Sequence, residues 1–212
     1  MVLVLLLAGL PALAQDTRPI SILEQHELLV EHGTASPSHH LTLTLAYLEG
    51  GGWEPEAIRS AVLQSARILA QCGVALTKVE MVRIDAPVRF RDYYTPLSRE
   101  LARALPLARP TVYFVADTRQ RPAFEAEAIG RGNSRTRPEL MDTVWITRSA
   151  RDLGIVLVHE LSHVLMDSGE HSEEPGNLMR EDTTRENTRL SDAQCARLRD
   201  TGSVNGLIAP LR

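Results

Sequence analysis

The sequence predicts an α+β protein: a mixed four-stranded sheet with a backing helix, then a buried helix, then a small C-terminal helical lobe. Three observations predict it. From His40 to Leu48, Leu41, Leu43 and Leu45 alternate with Thr42 and Thr44, the period of a strand with one face buried. Ile58, Val62, Ser65 and Leu69 recur at helical spacing. From Asp152 to Asp167, Leu153, Val156, Leu157, Leu161, Val164 and Leu165 form an apolar set suited to a largely buried helix.

The chain has 212 residues, room for one good-sized core and two lobes at most. Apolar content of 43% and charged content of 24% fit a folded globular protein. Aromatics make up only 4%, so the core must rest on Leu, Val, Ile and Ala. The net charge of −4 has both signs interspersed and no basic stripe, which argues against nucleic acid as a partner.

Taken in order, residues 1–14 read as a signal peptide. Val2 to Leu10 is a short apolar run, and Ala12-Leu13-Ala14 is a small-x-small cleavage site. No Lys or Arg precedes the run, and the competing reading is an apolar core segment. The run is too short to span a bilayer. The expectation is an exported protein, periplasmic or secreted, starting near Gln15 with no stable membrane span after cleavage. Residues 15–38 read as an N-terminal extension with a helix-like patch at Ile22 to Val30. Its His26 and His32, with His39 and His40, read as surface histidines.

Residues 39–212 read as the functional domain. Gly50-Gly51-Gly52 ends the first strand, and Trp53-Glu54-Pro55-Glu56 opens the backing helix, which runs to Ala70 with Gly73 as its stop. Val74 to Ile84 is a second strand, broken by Asp85-Ala86-Pro87. Ser98 to Leu105 is a short helix among prolines. Thr111 to Ala116 is a third strand, apolar enough for burial on both faces. Asp117 to Asp142 reads as a long irregular stretch with several arginines, and such stretches are usually functional or mobile. Thr143 to Thr147 is the fourth strand. Asp167 to Gly176 is a polar loop. Leu190 to Thr201 is the terminal helix, with Ser191 as N-cap and Gly202 as stop. Cys72 and Cys195 either form one disulfide across a very long loop or stay as two buried thiols.

The chemistry concentrates in the buried helix, where His159-Glu160-Leu161-Ser162-His163 reads H-E-x-x-H. Two histidines four apart share one helix face, a turn from each other, and both can reach one tetrahedral metal ion. Glu160 can reach a water in an open metal position. Three polar groups in so apolar a helix would be costly to bury without a metal or partners. A catalytic zinc site needs a third protein ligand. His171, two residues after Gly169, is one candidate, with the glycine supplying a sharp turn. The other downstream candidates are Asp167, one turn past His163 and axially displaced unless the helix ends first, Glu170, Glu173 and Glu174, and, on a following segment, Glu181 and Glu186.

The string from His159 to His171, H-E-L-S-H-V-L-M-D-S-G-E-H, followed by Asn177-Leu178-Met179, resembles the metzincin clan of zinc peptidases. Those carry H-E-x-x-H-x-x-G-x-x-H or a final Asp, then a methionine in a tight turn. Here Met166 stands where the motif has glycine, and the last histidine comes two residues late. The resemblance implies a zincin-like fold with an active-site helix. It also implies Zn2+ held by His159, His163 and His171, with Glu160 as catalytic base, and Met179 as a soft floor under the ligands. Substrate would be a peptide or protein lying along Thr143 to Thr147 as an edge strand; envelope-associated proteins and peptidoglycan cross-links both fit an exported enzyme. The other readings are a gluzincin-type site closed by Glu181 or Glu186, a zinc hydrolase of small amides, and a non-catalytic exported zinc-binding domain.

Overall fold

The computed structural model describes residues 16–30, 37–119, 128–131 and 138–211, with only the backbone of 128–131. The expected signal peptide and cleavage site lie outside the described residues, as do His32 and parts of the arginine-bearing stretch from Asp117 to Asp142.

The four expected strands form the centre of a larger mixed sheet. Strand β1 is Ser21–Leu28, β2 His39–Leu48, β3 Val74–Asp85, β4 Thr111–Phe114, β5 Ala128–Arg131, β6 Thr143–Ile146 and β7 Ile208–Pro210. The order is β1-β3-β2-β4-β6-β5, with β7 pairing the start of β2. β3, β2, β4 and β6 run parallel. β1, β5 and β7 are antiparallel to their neighbours. Three of the seven strands were therefore absent from the sequence pattern. The helix-like patch at Ile22 to Val30 is instead β1, whose residues pair with β3 from Ser21↔Asp85 to Leu28↔Val79. Most of β1 is exposed, so pairing with β3, not a buried face, makes it a strand.

Helix α1, Pro55–Leu69, starts on a proline; a 3-10 turn, Ala70–Cys72, continues it to Gly73 in the left-handed region, φ 67°. Helix α2 is Thr95–Ala104, α3 Leu153–Met166 and α4 Asp192–Val204. α1 and α3 cover one sheet face, with Leu41, Leu43 and Leu45 meeting Val62, Leu69, Leu157 and Leu161. On the other face Ala46, Ile84, Tyr113 and Trp145 pack with Leu101 of α2. Each fully buried Leu or Val contributes about 1.5–3 kcal/mol. α3 buries eleven of its fourteen residues, enough apolar surface to carry a few polar ones. Its first turn presses on α1: the Ser65 hydroxyl donates to the Gly154 carbonyl (3.1 Å), and a side chain at Gly154 would collide with Gln64.

Two boundary expectations change. Gly202 does not end the terminal helix; α4 continues to Val204. Gly202 instead makes room for Ile208, whose Cδ1 would lie 2.8 Å from a Cβ there. Cys72, just after α1, and Cys195 in α4 form the disulfide, joining residues 123 apart in sequence.

Candidate metal centre

α3 carries His159 and His163 one turn apart and then ends abruptly. Asp167 takes the left-handed conformation, φ 46°. The Asp167 N–H donates to the Val164 carbonyl (3.2 Å) and the Ser168 N–H to the His163 carbonyl (3.1 Å), a Schellman turn. Aspartate tolerates this conformation better than most residues. The turning role expected of Gly169 therefore belongs to Asp167. Gly169 has no positive φ, and open space surrounds it. Met166, at the motif's glycine position, is still helical and buried.

The turn swings the chain back so that His171 meets the helix histidines. His163 Nε2 lies 3.0 Å from His159 Nε2 and 3.3 Å from His171 Nε2. The three ligand atoms all lie within 4.8 Å of one another. Nitrogens on tetrahedral zinc, with bonds of about 2.0–2.1 Å, stand about 3.3 Å apart. Proton positions sharpen the fit. His159 Nδ1 contacts the Leu178 carbonyl at 2.8 Å, and His163 Nδ1 the Ser168 carbonyl at 2.6 Å. A carbonyl only accepts, so both Nδ1 atoms carry the hydrogen and both Nε2 atoms present lone pairs. Two lone pairs 3.0 Å apart repel unless a cation or proton lies between them. The donor set therefore fits a metal ion.

Electrostatics favour the neutral, ligating form. Burial pushes the His159 imidazole from its ordinary 6.5 to about 4; the hydrogen bond to Leu178 opposes this, and His163 and His171 add to it. Burial lowers His163 as well, against its hydrogen bond to Ser168. The consequence for metal-free protein has a definite sign. As pH falls below 6.5 the unfolded chain takes up a proton at His159, while the folded chain resists until about 4. Stability is thus fully present above that window and lost within it, by roughly 3 kcal/mol from this buried group. Urea unfolding of chelator-treated protein between pH 7 and 4 measures it; a flat profile would show that His159 is not held neutral.

Glu160 is half-buried, next to His159 and three residues before His163, on the neighbouring row of the helix surface. Glu181 and Glu186 are exposed, lie outside the histidine cluster, and sit on a segment without helix. Met179 is buried and, with Met166, Gln194 and Arg197, lines a recess of about 310 Å³ that reaches His171. β6 is not the edge strand expected for substrate. β4 pairs it on one side and β5 on the other, so the edge beside α3 is β5.

The sequence reading missed Asn177 and Gln194. Asn177 is buried, and its side-chain oxygen accepts the Met179 N–H at 2.8 Å. Gln194 completes a capping box with Ser191 at the start of α4 and also bonds Asn177 twice, at 2.9 and 3.1 Å. Both left a readable trace: a side-chain amide two residues before Met179, and Gln three residues after an N-cap Ser.

The architecture is zincin-like. Metalloproteinase-II from Bacteroides fragilis superposes with a TM-score of 0.56 at 16% identity, over 81% of this chain and 56% of that one. This chain thus spans a little over half of that protein's length. Archaemetzincin from Methanopyrus kandleri superposes with a TM-score of 0.50 at 15% identity, over 76% of this chain and 95% of that one. No protein-family model and no curated protein matches the sequence. Among the described residues, no helix is long and apolar enough to cross a membrane.

Proposed function

We propose that the chain is an exported zinc-dependent endopeptidase acting on peptides or proteins, with no nucleic-acid partner. In this reading His159, His163 and His171 hold Zn2+ and Glu160 is the catalytic base. The observation that carries it is the meeting of three imidazole nitrogens at zinc-ligand spacing beside the H-E-x-x-H glutamate. What zinc supplies when bound is a water of near-neutral pKa and polarisation of the scissile carbonyl. Glu160 takes a proton from the attacking water and hands it to the leaving amine nitrogen. The Leu178 and Ser168 carbonyls hold two imidazoles in the ligating tautomer and raise their basicity. An extended substrate would add along the outer edge of β5, which no other strand pairs among the described residues, in the manner of strand addition. The Cys72–Cys195 disulfide supports an oxidising compartment, and so export.

Zinc content tests the ligand set. Wild type and the Glu181→Ala and Glu186→Ala variants are expected to hold one zinc per chain, and His171→Ala to lose it on dialysis. Retention in His171→Ala, with loss in either glutamate variant, would give the third position to that glutamate.

A further inference from the structure

The Leu178–Met179 peptide group stands behind the centre. Its carbonyl accepts the His159 Nδ1–H at 2.8 Å. In a trans peptide the C=O and N–H point in opposite directions from one rigid plane, so holding one end aims the other. The N–H end, on Met179, is held at 2.8 Å by the Asn177 side-chain oxygen. The same oxygen accepts Gln194 Nε2 at 3.1 Å, and Asn177 Nδ2 donates back to Gln194 Oε1 at 2.9 Å. Gln194 Oε1 is itself pinned by the Ser191 N–H at 2.8 Å, which fixes which end of each amide faces which. The turn reaches the other end of the cluster too: the Met179 carbonyl accepts the N–H of Ser172, the residue after His171, at 2.8 Å.

We propose that Asn177 and Gln194 are positioning residues for the histidine centre. They lock the Leu178–Met179 peptide, and through its carbonyl they set the ring of His159 and its affinity for the metal. Neither side chain touches the metal position, and one of them belongs to α4, a helix with no ligand of its own. The proposal rests on the zinc-site reading given above. It goes beyond that reading by assigning a function to the N-terminus of α4 other than capping.

Capping and positioning separate cleanly in two variants. Gln194→Glu keeps an acceptor for the Ser191 N–H, since glutamate serves a capping box as well as glutamine does. It removes the only donor that Gln194 offers to Asn177 and sets a carboxylate against the Asn177 oxygen. Ser191→Ala removes the other half of the box and leaves the Asn177 pair in place. The experiment is zinc affinity by chelator competition, with the unfolding temperature of metal-free protein measured alongside. Gln194→Glu should weaken zinc binding about 10- to 100-fold, the usual cost of losing an outer partner of a ligand, with unfolding temperature within about 2 °C of wild type. Ser191→Ala should do the reverse, lowering the unfolding temperature by a few degrees with affinity unchanged. Asn177→Ala should weaken binding too, and Asn177→Ala/Gln194→Glu should lose little more than either alone, because both act along one path. Unchanged affinity in Gln194→Glu, with zinc bound tightly by wild type, overturns the proposal and leaves the zinc site standing. Affinity loss in Ser191→Ala equal to that in Gln194→Glu also overturns it, reducing Gln194 to a cap. A wild-type chain that binds no zinc overturns both readings.

Discussion

Glu160→Gln is expected to keep one zinc per chain and to hydrolyse peptides about 100- to 10,000-fold more slowly than wild type, the usual contribution of a positioned general base. The substitution preserves shape and removes only the proton-accepting charge. In the proposed site the three histidines come from the helix face and from the chain after Asp167, so the proposed ligand set does not draw on this carboxylate. Kinetics on an unstructured peptide and zinc content on the same preparation make the measurement. Undiminished hydrolysis would remove Glu160 from the mechanism. Zinc loss would make it a ligand. A wild type that binds zinc and hydrolyses neither peptides nor small amides would favour the non-catalytic zinc-binding reading.

The parts of the fold legible in the sequence are those whose residues encode their own environment. Leu41, Leu43 and Leu45 face one layer, Ala46 and Leu48 the other, and the alternation shows it. α3 is apolar all round because it is enclosed, and its histidines and Glu160 stand out for that reason. The missing parts depend on partners distant in sequence. β1 exists because β3 offers an edge, β7 is three residues long, and β5 is a four-residue strand in a stretch rich in Gly and Arg. At the site, two histidines were fixed by helical spacing, while the third depended on how the helix ends. That ending turned on Asp167, because two backbone hydrogen bonds can hold a tolerant aspartate where sequence rules look first to a glycine. The Asn177–Gln194 pair spans seventeen residues and joins a loop to α4, so neither residue announces the other.

Removing the disulfide by Cys72→Ser/Cys195→Ser is expected to cost about 2–5 kcal/mol, the usual range for a native bridge. For a chain of this size that is a fall of roughly 5–15 °C in unfolding temperature. The loop it closes spans 123 residues and contains β3, β4, β6 and α3, so in the unfolded chain the bridge restricts much of the sequence. The native state loses less, because the junction has other bonds. Arg199 donates to the Cys72 carbonyl at 2.8 Å, and Gln71 Nε2 to the Thr188 carbonyl at 2.7 Å. α4 should therefore stay docked, and the variant should unfold at lower temperature without losing its zinc at saturating metal. Thermal unfolding of metal-saturated wild type, reduced wild type and the double variant makes the comparison, with wild type highest and the other two coinciding. Equal unfolding temperatures for all three would mean that α4 is held by packing and hydrogen bonds alone. A double variant that also binds zinc more weakly would show more. Cys195 adjoins Gln194, so loosening there would reach His159 through Asn177 and Leu178, and the bridge would then set the centre's affinity as well as the fold's stability.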